Sequence, residues 1–239
     1  MSQTFLTAQW RKLVMANYIV DRTVLMPYVP AHTRLDLFEG KCFVSLVGFM
    51  FEDTRLLGFK VPRHVRFEEV NLRFYVHHTG AGGRKRGVVF IKELVPRVAL
   101  SFVANTFYGE HYETLPMRHK WYQSKAGLVV NYRWKKGGAW QKLQVVASPE
   151  AIPIASGSEE EFITEHYWGY TKLRNGRTSE YEVVHPRWDI YPVQRYSIDV
   201  EFARMYGPDF ALLNGMTPAS VLLAEGSEVT VRSGARIAL

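Results

Sequence analysis

The sequence predicts an α+β protein that is mainly antiparallel β and folds as a single domain. Three observations carry this reading. Polar and apolar residues alternate over several long stretches, glycine-rich turns separate them, and segments with helical spacing are few and short. The 239 residues are 47% hydrophobic and 14% aromatic, enough for a substantial core built on pleated surfaces.

The first strand is expected over residues 41–51, where charges are so few that both faces should be covered. Residues 65–77 form the second. In it Glu69, Asn71 and Arg73 share one face, and Val70, Leu72 and Phe74 share the other. The glycines of residues 80–83 turn the chain into a third strand over 87–94, making a hairpin. Pro96 stops that strand. Val98, Phe102, Val103, Thr106 and Phe107 then have the spacing of a helix lying on the sheet, with Gly109 as its C-cap.

Strands over 122–135 and 139–148 are joined by Lys136-Gly137-Gly138, and glycine permits the positive φ of a tight turn. Residues 150–158 read as a loop and 159–163 as a short helical turn. A further hairpin joins 166–172 to 179–184 around Asn175-Gly176, a short helix lies near 199–205, and a strand over 227–232 follows. With no internal repeat or linker, residues 1–239 make one domain.

Cys42 is the sole cysteine, which excludes an intramolecular disulfide framework and a cysteine-rich zinc site; its apolar surroundings predict a buried thiol. A formal charge of +7 would steer anionic partners. The basic residues are scattered, however. The densest cluster, Arg84-Lys85-Arg86, lies beside Gly80, Gly82 and Gly83 and reads as a solvated loop tip. Nucleic acid is therefore not the expected partner, although a non-catalytic interaction module using the basic surface is an alternative function. Arg11 and Lys12 interrupt the early apolar residues, so no signal peptide is expected, and no segment is long and apolar enough to span a bilayer. The expected location is the cytoplasm.

Several stretches resemble an uncharacterised bacterial family, the YqjF-like proteins. They include residues 67–76, 87–97, 7–11, 44–49 and 108–112, with 162–167 and 185–188 further on. The resemblance implies the acetoacetate decarboxylase-like fold, a closed cone-shaped β barrel with a few short helices and a small-molecule pocket inside. Enzymes of that fold use a lysine amine to form an iminium with a β-keto acid, and the lysine must be uncharged to attack. Here Arg97 stands where that lysine would, and arginine stays protonated. Val98 occupies the position of the neighbouring cation. Arg11 falls where the decarboxylases carry an arginine, and Ser45 or its neighbours where they carry a carboxylate. The scaffold is matched without the usual Schiff-base motif.

The Glu69, Asn71 and Arg73 face has two readings: an exposed or ion-paired face, or a pocket wall in which Arg73 grips an anionic or carbonyl group. Lys92 and Glu93 point to opposite faces of their strand, so only one enters the barrel. The family pattern favours Glu93, and Lys92 would be the Schiff-base candidate if it pointed inward. Glu110 and Tyr112 would rim a pocket, or Glu110 would cap local amides. His166 and His185 are too few and too scattered for a zinc site, and the Gly80–Gly83 stretch opens no helix, so neither metal nor cofactor is expected. The expected function is binding of a small organic acid or carbonyl compound. Arg11, Arg73 and Arg97 would be its anchors, with Glu69 and Glu93 as acid–base groups. A lyase using Lys92 is another alternative, and the apolar segment 210–223 could form a homo-oligomer interface.

Overall fold

A computed structural model describes residues 3–60, 62, 65–80, 82–96, 111–173 and 175–237. In chain order its strands are β1 (Thr4–Val20), β2 (Arg34–Leu35), β3 (Cys42–Leu56), β4 (Phe67–Gly80), β5 (Gly83–Val95), β6 (Tyr112–Thr114), β7 (Met117–Ser124), β8 (Gly127–Lys136), β9 (Ala139–Ala147), β10 (Ile152–Pro153), β11 (Trp168–Lys172), β12 (Thr178–Val184), β13 (Asp189–Tyr191), β14 (Val193–Asp199) and β15 (Ser220–Arg236). Short helices occupy Arg22–Leu25 (α1), Glu159–Thr164 (α2) and Phe202–Tyr206 (α3).

Seven strands pair in a circuit that returns to its start: β1, β3, β4, β5, β11, β12, β15 and again β1. Within it only the short β5–β11 pairing is parallel. The remaining long sheet, β14-β9-β8-β7, is antiparallel. The mainly antiparallel α+β class is therefore the observed one.

Strand β3 shows how the two sheets pack together. Its even residues Val44, Leu46 and Met50 join the core between the circuit and the second sheet, with Tyr132, Trp134, Leu143 and Phe202. Its odd residues Phe43, Val47, Phe49 and Phe51 join a second core enclosed by the circuit. Both faces are covered, as its near-absence of charge required. At Gly48 the second sheet lies close against β3: a Cβ there would lie 3.0 Å from Tyr132 Cδ2. The Tyr132 hydroxyl donates to the Lys12 carbonyl at 2.8 Å, tying the second sheet to β1.

Some expectations need correction. Residues 122–135 are not one strand: a turn after Ser124 divides them between β7 and β8, so this sheet holds an extra hairpin. Arg84, Lys85 and Arg86 are not a loop tip but lie in β5. Segment 210–223 buries Phe210, Leu213, Leu222 and Leu223 in the chain's own cores, so those side chains do not furnish an interface. The helix expected over 98–108 lies outside the described residues.

Candidate functional site

Three bulges decide which side chains enter the circuit. In β1, Lys12 has φ +54° and pairing slips between Arg11 and Val14. Leu6, Ala8 and Trp10 pack inward before the slip, and Leu13 and Met15 after it. In β3, Asp53 has φ +47°, and the inward set changes from Phe49 and Phe51 to Thr54 and Leu56. In β5 the register shifts opposite Leu72 and Arg73, so Val88 and Phe90 face inward before it, and Glu93 and Val95 after it. Each extra residue reverses the alternation of everything beyond it.

The space so enclosed is a cavity of about 190 Å³. Trp10, Phe49, Phe51, Phe67, Phe90 and Trp188 make most of its wall apolar. Into it β4 projects Glu69, Asn71 and Arg73, which are 3%, 1% and 8% exposed. These three side chains face the cavity and are not an exposed face. Asn71 Nδ2 donates to Glu69 Oε1 at 2.9 Å, which leaves Asn71 Oδ1 buried without a hydrogen-bond partner. Arg73 reaches the Met15 sulfur at 3.8 Å, and its buried Nε has no partner. Among the described residues no carboxylate forms an ion pair with this guanidinium.

Glu93 is buried and lines the cavity; Tyr112 hydrogen-bonds to it. Burial first, and then the Glu69 and Glu93 charges, push the Tyr112 hydroxyl well up from its ordinary value, so it stays protonated and donates. Lys92 does not enter. It sits on the outer side of the β5 bulge and pairs with Glu113 at 3.2 Å. Arg11 is also outside, next to inward Trp10 on the alternating part of β1 before the bulge, where its Nη2 donates to Gln9 Oε1 at 2.7 Å. Arg97 and Glu110 lie outside the described residues. Every lysine in the sequence is described, and none lines the cavity.

The cavity wall also holds two histidines, His166 and His185, for which the sequence suggests no role beyond a scattered metal ligand. His166 Nε2 lies 3.2 Å from Asp36 Oδ2. Burial would raise the Asp36 pKa, but hydrogen bonds from His166 and Arg86 outweigh it and hold this carboxyl well below its usual range. Arg84 and Arg86 flank it at 2.5 and 2.7 Å. An ionised carboxylate only accepts, so the His166 proton resides on Nε2. Burial pulls the His166 pKa down to about 4, against the opposing pull of Asp36, so the ring is neutral near pH 7. Its Nδ1 is then a buried acceptor, and it has no partner. His185 also lines the cavity, stacked on Trp188 at 4.2 Å, and its pKa is lowered mainly by burial. The stretch holding His166 was visible in sequence, whereas its partner Asp36 lies 130 residues away.

Residues 7–228 match the family described as "Uncharacterized conserved protein", DUF2071. The chain belongs to the DUF2071 family. A curated relative, the uncharacterized protein YqjF of Bacillus subtilis (strain 168), is 27% identical over 183 residues, covering 75% of this chain and 72% of the relative. Among solved structures, this DUF2071 protein is similar to the enduracididine biosynthesis enzyme MppR complexed with pyruvate, with a TM-score of 0.71 at 12% identity over 100% of this chain and 92% of that one. The acetoacetate decarboxylase of Legionella pneumophila gives 0.66 at 11% identity, over 99% and 88%. An acetoacetate decarboxylase-like enzyme from Sphingomonas wittichii RW1 gives 0.65 at 11%, over 98% and 94%. At these identities the likeness is one of fold: the DUF2071 chain has the acetoacetate decarboxylase-like fold.

The outer face of the second sheet corrects another expectation. Arg118 and Lys120 on β7, Arg133 and Lys135 on β8, Lys142 on β9 and Arg195 on β14 share this face by register. Three of these cations lie over the Trp140 ring and Lys120 over Tyr122. Residues scattered in sequence thus form one basic surface. No described helix is long and apolar enough to cross a membrane.

Proposed function

We propose that this DUF2071 protein binds a small organic acid or carbonyl compound within its strand circuit, with Arg73 as the anchor. One observation carries the reading: a guanidinium 8% exposed in an aromatic-walled cavity, its Nε without a hydrogen-bond partner. Burying a charge without a counter-ion is costly. A ligand carboxylate offers two acceptors to the planar fork and a charge opposite to its own. Glu69 and Glu93 are the acid–base groups of this reading, and Asn71 and Tyr112 complete the polar wall. One structural neighbour is described with pyruvate bound, and another is an acetoacetate decarboxylase, which supports a ligand of this class. Because no lysine lines the cavity, chemistry through a protein iminium is not part of the proposal.

Calorimetric titration with 2-oxo, 3-oxo and 2-hydroxy acids tests it on the wild type and on Arg73→Ala. The expected result is binding lost in the variant while circular dichroism shows a folded chain. Equal affinity in both proteins would overturn the assignment.

A second reading rests on the outer sheet face. Six cations there form no ion pair with a described carboxylate, and aromatic rings lie between them. That combination suits single-stranded nucleic acid, which couples phosphate contacts to base stacking. Oligonucleotide anisotropy should show binding that weakens steeply with salt and is lost in Lys120→Glu/Arg133→Glu. No binding at low salt removes this reading.

A further inference from the structure

Buried polar atoms without a hydrogen-bond partner on residues lining the cavity include two donors, Arg73 Nε and Trp10 Nε1, two acceptors, Asn71 Oδ1 and His166 Nδ1, and the Thr54 hydroxyl. A simple carboxylate or 2-oxo acid has only acceptors and would leave both acceptors unmet. We propose that the ligand is a hydroxy acid with an apolar tail, its carboxylate on Arg73 and its hydroxyl proton donated to Asn71 Oδ1 or His166 Nδ1. The inference rests on the organic-acid reading and narrows it.

The orientation of each acceptor follows from its partner. Asn71 turns its amide nitrogen to Glu69 Oε1 at 2.9 Å, so the oxygen points away from that carboxylate. His166 is fixed by Asp36, itself held by Arg84 and Arg86, so the ring proton stays on Nε2 and Nδ1 keeps its lone pair. The ring crosses the wall: Asp36 lines a groove on the other side, while His166 lines the cavity. Arg73 and His166 both pack on the Tyr75 ring, at 5.7 and 4.7 Å, and Asn71 is two residues from Arg73 on the same strand face, so donor and acceptors share one region.

The tail follows from the register. Arg73 lies opposite Ser45, whereas Phe67 lies opposite Phe51, six residues or about 20 Å along the strand. Phe51 and Phe67 stack at 4.6 Å, and Trp10 meets Phe51 and Phe49 edge-on. One end of the cavity is polar and the other aromatic, which fits an acid head and an alkyl or aryl tail.

The test compares acids that differ only at the hydroxyl. By calorimetry, both enantiomers of 3-phenyllactate are set against 3-phenylpropionate and the O-methyl ether of 3-phenyllactate. Lactate, propionate and 2-methoxypropionate form the short-tailed series. One hydroxy acid should bind at least about tenfold more tightly than its deoxy and ether counterparts, since a site built to pair a hydroxyl discriminates against analogues lacking it. That preference should shrink in Asn71→Leu or in His166→Phe. Deoxy acid and ether binding as tightly as the hydroxy acid, with all lost in Arg73→Ala, would overturn the hydroxyl assignment and keep the acid reading. Absence of binding by both series would overturn both.

Discussion

Removing the Arg73 guanidinium takes out a buried charge that no described carboxylate ion-pairs. Arg73→Met should therefore melt at the wild-type temperature or above it while acid binding disappears, a combination that scanning fluorimetry and calorimetry together would register. A large drop in melting temperature would mean that Arg73 is structural. The histidines give stability a pH dependence with a definite sign. An unfolded histidine takes its proton near pH 6.5, but burial delays His166 until about pH 4 in the fold. Between those values the unfolded state binds more protons, so stability falls as pH is lowered, by up to roughly 3 kcal/mol. His77 and His185 are lowered as well, chiefly by burial, and act in the same direction. Asp36 contributes stability that is present above the ordinary aspartate range and is lost only below it, in a separate, more acidic window. The urea midpoint of His166→Phe should change less between pH 7 and pH 5 than that of the wild type.

At the scale of the element, bulges are the deciding features. The β1 bulge has Gly226 opposite Arg11, at φ +82°, where a Cβ would lie 2.0 Å from the Trp10 carbonyl oxygen. Gly226→Ala should cost about 1–3 kcal/mol in urea unfolding, because neither the backbone conformation nor the space accommodates a methyl group. The β5 bulge separates Lys92 from the cavity. Lys92→Ala should leave acid binding unchanged and alter stability by less than about 1 kcal/mol, since it removes only a partly exposed pair with Glu113. Borohydride treatment with keto acids should give no adduct dependent on Lys92.

At the scale of the molecule, the second sheet packs on one face of β3 in the seven-strand circuit, with Tyr132 and Leu143 close over Gly48. Gly48→Val would force the sheets apart and should destabilise the chain by about 1–3 kcal/mol, read from the denaturant midpoint. The basic face also belongs to this scale. No strand carries more than two of its six cations, and only the pairing of β7, β8, β9 and β14 sets them side by side. For that reason a charge of +7 could be counted in the sequence without its placement being visible.

Period-two alternation by itself determined the β class, the two covered faces of β3, and the shared face of Glu69, Asn71 and Arg73, because no bulge interrupts β4 between them. It did not reveal β1 as a strand, since the slip at Lys12 reverses the inward set halfway along. Nor could it choose between Lys92 and Glu93. Continuing the alternation of Val88 and Phe90 would have put Lys92 inside, and the single extra residue in β5 put Glu93 there instead. The pairing of His166 with Asp36 likewise needed the closed circuit to bring together residues 130 apart. Local patterns record what each strand requires of its own two faces; register and closure, which depend on neighbouring strands, decide which of those faces meet in the cavity.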